Sequence, residues 1–389
     1  MRKILETVGG WFVSFWKKGD LLLLALCIAA SLFGLVEISS ATNHYGAYQS
    51  FLFKQILALC LGIAMFIAVT LIDIEIVAEQ KALLTIFNVF FIGLLLFFYE
   101  KNNTTGNRSW LHFSFLPFNI QPAEFCKVTF ILILAKTMSI YKNKVSSLVC
   151  VARIALHTLF LVGLIVVISD DAGVALQYVF IFIAMAFLGG VRGWWFAGGF
   201  SGIAAVAPIF WKFFMRDDQK NRIMMIFDPS IDPQGLGVRY QTNLSTKALS
   251  AGGLAGQGLF NGGTIQAGNL PAQHTDFIFS SVGNELGMIG CIGVLLFEAA
   301  IIARCIYVGM KSKNYMNRLI CFGVASMLLF QVISNVGMCL GLLPVIGLTL
   351  PFFSYGGSSL VTMFVAVGLV SGIKFRPAED TSVRYISPY

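Results

Sequence analysis

The chain has 389 residues, 57% of them hydrophobic and 12% charged, with a mean hydropathy of +0.80. Soluble domains average about 45–50% apolar and about 25% charged residues, so an ordinary soluble enzyme, a disordered chain and a secreted disulfide scaffold are all excluded. A formal charge of +8 would suggest nucleic acid in a soluble protein. Beside this hydropathy it points to basic loops on one face of a membrane and to an anionic substrate, with no nucleic-acid partner expected.

Along the chain, the apolar stretch 4–16 is expected to lie on the inner membrane surface, within an interfacial segment 1–20. Apolar runs then recur over 21–40, 52–73, 82–99, 122–141, 150–168, 172–190, 193–212, 277–303, 318–342 and 350–373. Runs of this length without alternation predict helices, which satisfy their own backbone hydrogen bonds in lipid, and not the strands of a barrel. The expected fold class is all-α: a polytopic integral membrane protein of about ten transmembrane helices. Its single membrane domain covers 21–373, with a long extracytoplasmic loop 213–276 between spans seven and eight and a tail 374–389. An even number of spans places both termini on one side. Lys17, Lys18, Lys142, Lys144, Arg304, Lys311, Lys313 and Lys374 gather there, which makes that side cytoplasmic. The cysteines form no CxxC and read as small buried hydrophobes; the histidines form no HExxH pair, so a zinc site is unsupported.

Four polar clusters interrupt the pattern, all at outer span ends. In the first, the polar loop 100–121 holds Asn107, Arg108, Ser109 and Trp110, then Gln121-Pro122 before Glu124 and Lys127. Glu124 and Lys127 share a helix face; they suit a helix start, and equally an ionisable pair marking a pathway or site. In the second, Asp170-Asp171 interrupt apolar residues, either capping the next helix or placing a cation. The third is the long loop, with Arg216, Arg222, Ser245, Lys247 and the glycine-rich 250–258, which suits bends or close approach to a ligand and fits no nucleotide loop. It runs into Leu270-Pro271 and His274-Thr275-Asp276, where Asp276 either caps the following helix or stands as a free carboxylate at the mouth of a span. The fourth, 343–359, has two prolines and the glycines Gly356 and Gly357, and predicts a broken helix entering the membrane beside a wet cavity. Together these clusters describe one polar, partly basic cavity suited to a substrate with a lipid tail and an anionic head.

In its motifs the chain resembles the SEDS family, the RodA, FtsW and SpoVE proteins of bacterial cell-wall synthesis, over roughly residues 20–375. The resemblance is carried by Leu270-Pro271 with His274 to Phe279, by Glu285-Leu286-Gly287, and by Asn335 through Ser359; Lys54-Gln55, Trp110, Gln121-Pro122 with Glu124, Asp228-Pro229 and Asp232-Pro233 also match. Asn335-Val336-Gly337-Met338 and Pro344-Val345-Ile346-Gly347 look most like the elongation branch, RodA. Ser169-Asp170-Asp171, Ala272-Gln273 and Asn284-Glu285 depart from the usual family pattern.

The resemblance implies a peptidoglycan glycosyltransferase of the bacterial cytoplasmic membrane, joining lipid II into β-1,4 glycan strands on the outer face, with Asp276 the catalytic base. It implies Lys54, Lys127, Arg222 and Lys247 as candidates for the pyrophosphate and Trp110 for the sugar. The remaining substrate-binding candidates are Glu124, Ser245, His274, Thr275, Glu285, Ser354, Tyr355, Gly356, Gly357 and Ser358. A divalent cation, magnesium or manganese, is a candidate near the pyrophosphate, with Asp171 the carboxylate that would hold it. Implied partners are a class B penicillin-binding protein and other elongation-complex membrane proteins. A lipid II flippase, or a division or sporulation polymerase, stands as the alternative.

Overall fold

The structure is a computed structural model and describes residues 13–45, 48–99, 108–113, 118–213, 215, 217–225, 228, 232, 237 and 239–376. Residues 4–12, Asn102 to Asn107, Arg216, Pro229, Pro233 and the tail from 377, all of which enter the sequence reading, lie outside the described residues. Among the described residues the chain is helical, with only two isolated bridges, Tyr99 to Leu111 and Leu111 to Ile120.

Each of the ten apolar runs contains a helix. They are α1 (Leu21–Thr42), α2 (Tyr48–Leu71), α3 (Lys81–Gly93, continued by Leu95–Phe98), α4 (Pro122–Ile140) and α5 (Leu148–Ser169). After these come α6 (Ala172–Leu188) and α7 (Gly193–Phe213). The loop helix α8 (Tyr240–Gly252) precedes α9 (Ile278–Lys311), α10 (Tyr315–Cys339) and α11 (Gly357–Phe375). Eight of the ten are long and apolar enough to cross a membrane by length and composition. The other two are α4, which carries Glu124, Lys127 and Lys136, and the 17-residue α6. The protein is a polytopic helical membrane protein.

α10 and α11 are the most buried spans, while residues 197–209 of α7 are exposed. One end of the bundle is tied by charge. Asp20, fully buried, caps α1 and takes a two-pronged bond from the Arg304 guanidinium on α9 (2.9 and 3.1 Å), with Lys374 of α11 at 3.4 Å. This end also carries the helical residues 13–18, whose Phe15 packs edge-on to Phe66.

At the other end two spans depart from regular helix. α9 breaks at Gly287 (φ 68°, ψ −162°), a backbone region that glycine alone adopts readily. The break frees backbone groups, and the glycine-rich stretch satisfies them. Gln257 and Gly258 N–H donate to the Asn284 and Glu285 carbonyls (3.1 and 2.9 Å), and Met288 and Ile289 N–H donate to Gly253 and Leu254 (2.9 and 3.2 Å). The glycines of 250–258 therefore serve close approach to the α9 backbone. Glu285, fully buried, locks this junction by accepting from Ser40 of α1 (2.7 Å), Gln266 (2.8 Å) and the Phe260 N–H (3.1 Å).

The last span differs from the expected broken helix. Residues 344–356 form no helix: a single turn at 351–353, closed by the Ser354 N–H to Leu350 O (3.1 Å), is all that precedes α11, which starts only at Gly357. The Ser354 hydroxyl caps the Leu350 N–H (2.8 Å), Phe352 is left-handed (φ 63°), and Pro351 lacks an N–H, so the hydropathy of a helix is present without its hydrogen-bond ladder. The segment dips into the bundle: a Cβ placed on Gly34 of α1 would sit 2.6 Å from the Phe353 carbonyl oxygen. Irregular backbone at that depth is tolerated because protein surrounds it.

Candidate active site

Asp276 ends a turn over 270–277 that opens α9. It does not cap the helix: the N-cap position is Phe277, and no side chain makes a capping bond there. Three consecutive carbonyls of the turn are instead held from outside. Tyr355 N–H donates to His274 O (2.9 Å), the Ser354 hydroxyl to Thr275 O (2.6 Å), and the Asn335 amide to Asp276 O (2.8 Å). The same Asn335 nitrogen donates to Leu348 O (2.7 Å), and the Cys339 thiol lies 3.8 Å from Asp276 O. Gln55 of α2 braces the segment further, giving its amide to Ser354 O (3.1 Å) and accepting from Gly356 N–H (3.1 Å).

With its backbone fixed, Asp276 directs a half-buried carboxylate toward Gly347. A Cβ on Gly347 would lie 3.6 Å from Oδ2, and Gly347 is itself left-handed (φ 67°). One residue earlier, the Ile346 carbonyl packs so closely on Gly173 of α6 that any side chain there would clash. The segment 344–350 thus passes between the starts of α6 and α9. Burial first, and the Asp171 charge second, raise Asp276 from the usual carboxylate range to about 6, while a hydrogen bond from Thr275 opposes the shift.

Asp171 sits across this segment in a different state. Its Oδ1 caps α6 through Val174 N–H (3.0 Å), and its Oδ2 accepts from the Gln121 amide (3.0 Å) and the Ser109 hydroxyl (3.3 Å). Burial raises its pKa, partly opposed by the Val174 and Ser109 bonds. A carboxylate already ringed by N–H and O–H donors does not fit a metal ligand, and no group of three or more His, Cys, Asp or Glu suited to a metal ion occurs among the described residues. Behind Gln121, the Lys127 ammonium is fully buried between Glu124 Oε1 and Gln177 Oε1, both at 2.6 Å.

The remaining candidates divide. Lys54 is half-buried on α2, beside Gln55, and has no ion pair among the described residues. Arg222, on the exposed helix Asp217–Met224, donates to Val345 O (3.3 Å) and so reaches the segment that crosses the site. Trp110 is half-buried next to Ser109, on the Asp171 side. The His274 ring packs between Phe51 and Tyr355 (5.2 and 5.5 Å between centroids), and burial with neighbouring His44 pushes its pKa down to about 4, so it is uncharged at neutral pH.

Other candidates are walled off from a substrate. Lys127 is sealed in its ion pair, so it cannot touch a pyrophosphate as expected. Ser245 is fully buried, bonding Ser280 (2.5 Å) and Cys339 O (2.8 Å); Lys247, two residues along α8 and so roughly 200° around it, points to open surface. Glu285 and Glu124 are committed to packing bonds. Thr275 and Ser354 shape the turn, Gly356 takes the Gln55 brace, Gly357 starts α11 against Phe118, and Ser358 receives the Gln121 N–H (3.1 Å). In the sequence Asn335, Gln55 and Gly347 stand out only as parts of motifs, and Gln177 does not stand out at all. Their common signal, a lone amide within an apolar span, was available in three of the four cases.

The comparisons with known proteins give the family and the fold. The family model described as a cell cycle protein, FtsW/RodA/SpoVE, matches residues 20–378. The peptidoglycan glycosyltransferase MrdB of Escherichia coli K12 is 33% identical over 269 residues, 69% of this chain and 71% of that protein. Among solved structures, a chain from a study of polymerization and crosslinking by a peptidoglycan synthase complex superposes with a TM-score of 0.78 at 29% identity, covering 93% of this chain and 99% of that one. The rod shape determining protein RodA of Thermus thermophilus superposes at 0.67 with 27% identity, covering 93% and 98%. On these matches, spanning nearly the whole bundle, the chain belongs to the FtsW/RodA/SpoVE family of cell cycle proteins.

Proposed function

We propose that this protein is a peptidoglycan glycosyltransferase that polymerises lipid II, with Asp276 as the general base. The observation that carries the reading is an aspartate at a helix start that is spared from capping, in a turn whose carbonyls are held by Tyr355, Ser354 and Asn335, and raised to about 6. A carboxylate of that pKa is ionised at neutral pH yet basic enough to take a proton from a sugar hydroxyl in the transition state. The acceptor 4-hydroxyl gives its proton to Asp276 and its oxygen forms a bond to the donor anomeric carbon. The bond from that carbon to the lipid pyrophosphate breaks, its electron pair leaves with the pyrophosphate, and configuration inverts. Lys54 and Arg222 are the cations this reading assigns to the departing charge, supported by the half-burial of Lys54 and the Arg222 bond to Val345 O. No step is assigned to a metal ion.

The Asp20 end is cytoplasmic by the positive-inside rule, which puts Asp276 on the outer side of the bacterial cytoplasmic membrane, with 21–373 as one membrane unit. A class B penicillin-binding protein is the partner this reading requires for cross-linking. The similarity to a chain of a peptidoglycan synthase complex that coordinates polymerization and crosslinking supports it. Within the family, the elongation role rests on the Asn335 and Pro344 motifs. A flippase remains the second reading because Glu37 and Glu298 are buried in spans α1 and α9 with no hydrogen-bond partner for either carboxyl among the described residues.

The deciding experiment uses the full chain in proteoliposomes with fluorescent lipid II, adding the transpeptidase partner where turnover requires it. Glycan ladders that disappear in Asp276→Asn support the polymerase. Translocation of lipid II without ladders in the unsubstituted protein supports the flippase.

A further inference from the structure

Asn335 does something the other grips on the turn do not. Tyr355 and Ser354 join the turn to one segment each, whereas the single Asn335 nitrogen uses its two hydrogens on two chain segments, Asp276 O (2.8 Å) and Leu348 O (2.7 Å). Those oxygens cannot lie farther apart than these two bonds together allow. One belongs to Asp276 itself; the other follows Gly347, which faces the Asp276 carboxylate. Asn335 is fully buried on α10, among the most buried of the spans, so it is a rigid anchor for both. Both of those partners are carbonyl oxygens, which accept and cannot donate, and this fixes the amide orientation with the nitrogen toward the site.

We propose that Asn335 is a positioning residue that ties the Asp276 turn to the Gly347 segment and so fixes where the Asp276 carboxylate meets the acceptor hydroxyl. The inference rests on the reading of Asp276 as the base. It follows from the scale of the effect: misplacing a catalytic group by about 1 Å costs roughly a hundredfold in rate, while substrate held elsewhere binds as before. Asn335 touches neither substrate nor reacting atoms.

The test compares Asn335→Leu, similar in volume without donors, and Asn335→Asp, nearly identical in shape with both donors removed when ionised. Both are measured as full chains in proteoliposomes with fluorescent lipid II. Positioning predicts a fall in kcat of about 10–100-fold with KM for lipid II within about threefold in both variants; the acid limb of the pH–rate profile moves below that of the unsubstituted protein in Asn335→Leu, as the loosened turn lets water reach Asp276, and upward in Asn335→Asp, whose added carboxylate disfavours the Asp276 charge. If Asn335→Leu gives no monodisperse protein, Asn335→Asp decides. A folded variant with unchanged kcat and an unchanged acid limb overturns the proposal, as does a loss confined to melting temperature or to KM. Asp276→Asn is run alongside. If it still makes ladders, the base assignment itself fails; if it is inactive while both Asn335 variants behave normally, only the positioning role falls.

Discussion

Asp171 and Asp276 are both aspartates at the start of a helix, at the same end of the bundle, separated by one crossing segment. Asp171 spends its oxygens on Val174, Gln121 and Ser109, as an N-cap aspartate ordinarily does. Asp276 sits one position too early for that work, because Phe277 takes the N-cap position and the turn carbonyls are satisfied by Tyr355, Ser354 and Asn335. The lesson is that a helix start does not settle the role of a carboxylate. What settles it is whether other groups relieve the carboxylate of structural duty.

The largest effect expected from that contrast is at Asp276. Replacing it by Asn keeps the size and removes the base, and glycan synthesis should fall by about 10²–10⁴-fold while the protein stays folded by size-exclusion and circular dichroism. Asp171→Asn keeps a capping residue, since Asn caps as well as Asp, and should retain turnover within a few fold at neutral pH. Equal loss in the two variants would erase the distinction.

Next in size is the pair behind Asp171. Removing Lys127 leaves the Glu124 carboxylate buried without its cation and Gln177 without its donor. Breaking a buried pair in this way costs about 3–5 kcal/mol. Lys127→Ala should therefore melt far below the unsubstituted protein in detergent, with little change in affinity for lipid II in whatever fraction remains folded. A normal melting temperature with weakened lipid II binding would return Lys127 to the substrate site.

The contrast also has a sign in pH. The Asp171 charge helps to raise Asp276, so the base is protonated, and activity lost, as pH falls through about 6. Asp171→Asn removes a repelling charge and stabilises the ionised Asp276, so the acid limb of the pH–rate profile should move to lower pH. Burial, the larger cause, is untouched, so the limb should remain above the ordinary carboxylate range. A limb that moves upward would mean that Asp171 acts through its hydrogen bonds and not through its charge.

Much of this arrangement was legible in sequence, and the misses share a cause. The ten spans follow from length and hydropathy, which a bilayer reads almost directly. Asp276 stood out because a charge at the mouth of a span is costly. Residues 350–356 read as helix because hydropathy reports burial and not hydrogen bonding, and only the Ser354 hydroxyl and Pro351 decide between the two. The break at Gly287 was hidden for the same reason, since its cost is met by Gly253 to Gly258, some thirty residues away in the chain. Ser245 and Lys127 looked like ligand-binding side chains because a sequence names the polar group but not its neighbours.

The smallest expected effect separates two lysines that look alike in sequence. Lys54 lies near the start of α2 and Lys247 on the loop helix α8, and the resemblance offers both for a pyrophosphate. Lys247 projects from the outward face of α8, opposite the side that Ser245 buries, and an exposed charge in water contributes little. Lys54 is half-buried next to Gln55, which braces the segment ending at Gly356, so a charge there is less screened by solvent. Lys54→Ala should lower kcat/KM for lipid II by about tenfold, equivalent to about 1.4 kcal/mol, whereas Lys247→Ala should leave it within about twofold. Raising the salt concentration sharpens the comparison, because mobile ions screen exposed charges far more than half-buried ones. A Lys54 effect that persists at high salt fits a cation inside the cavity. One that disappears with salt would place Lys54 on the open surface with Lys247, and leave Arg222 as the cation facing the leaving group.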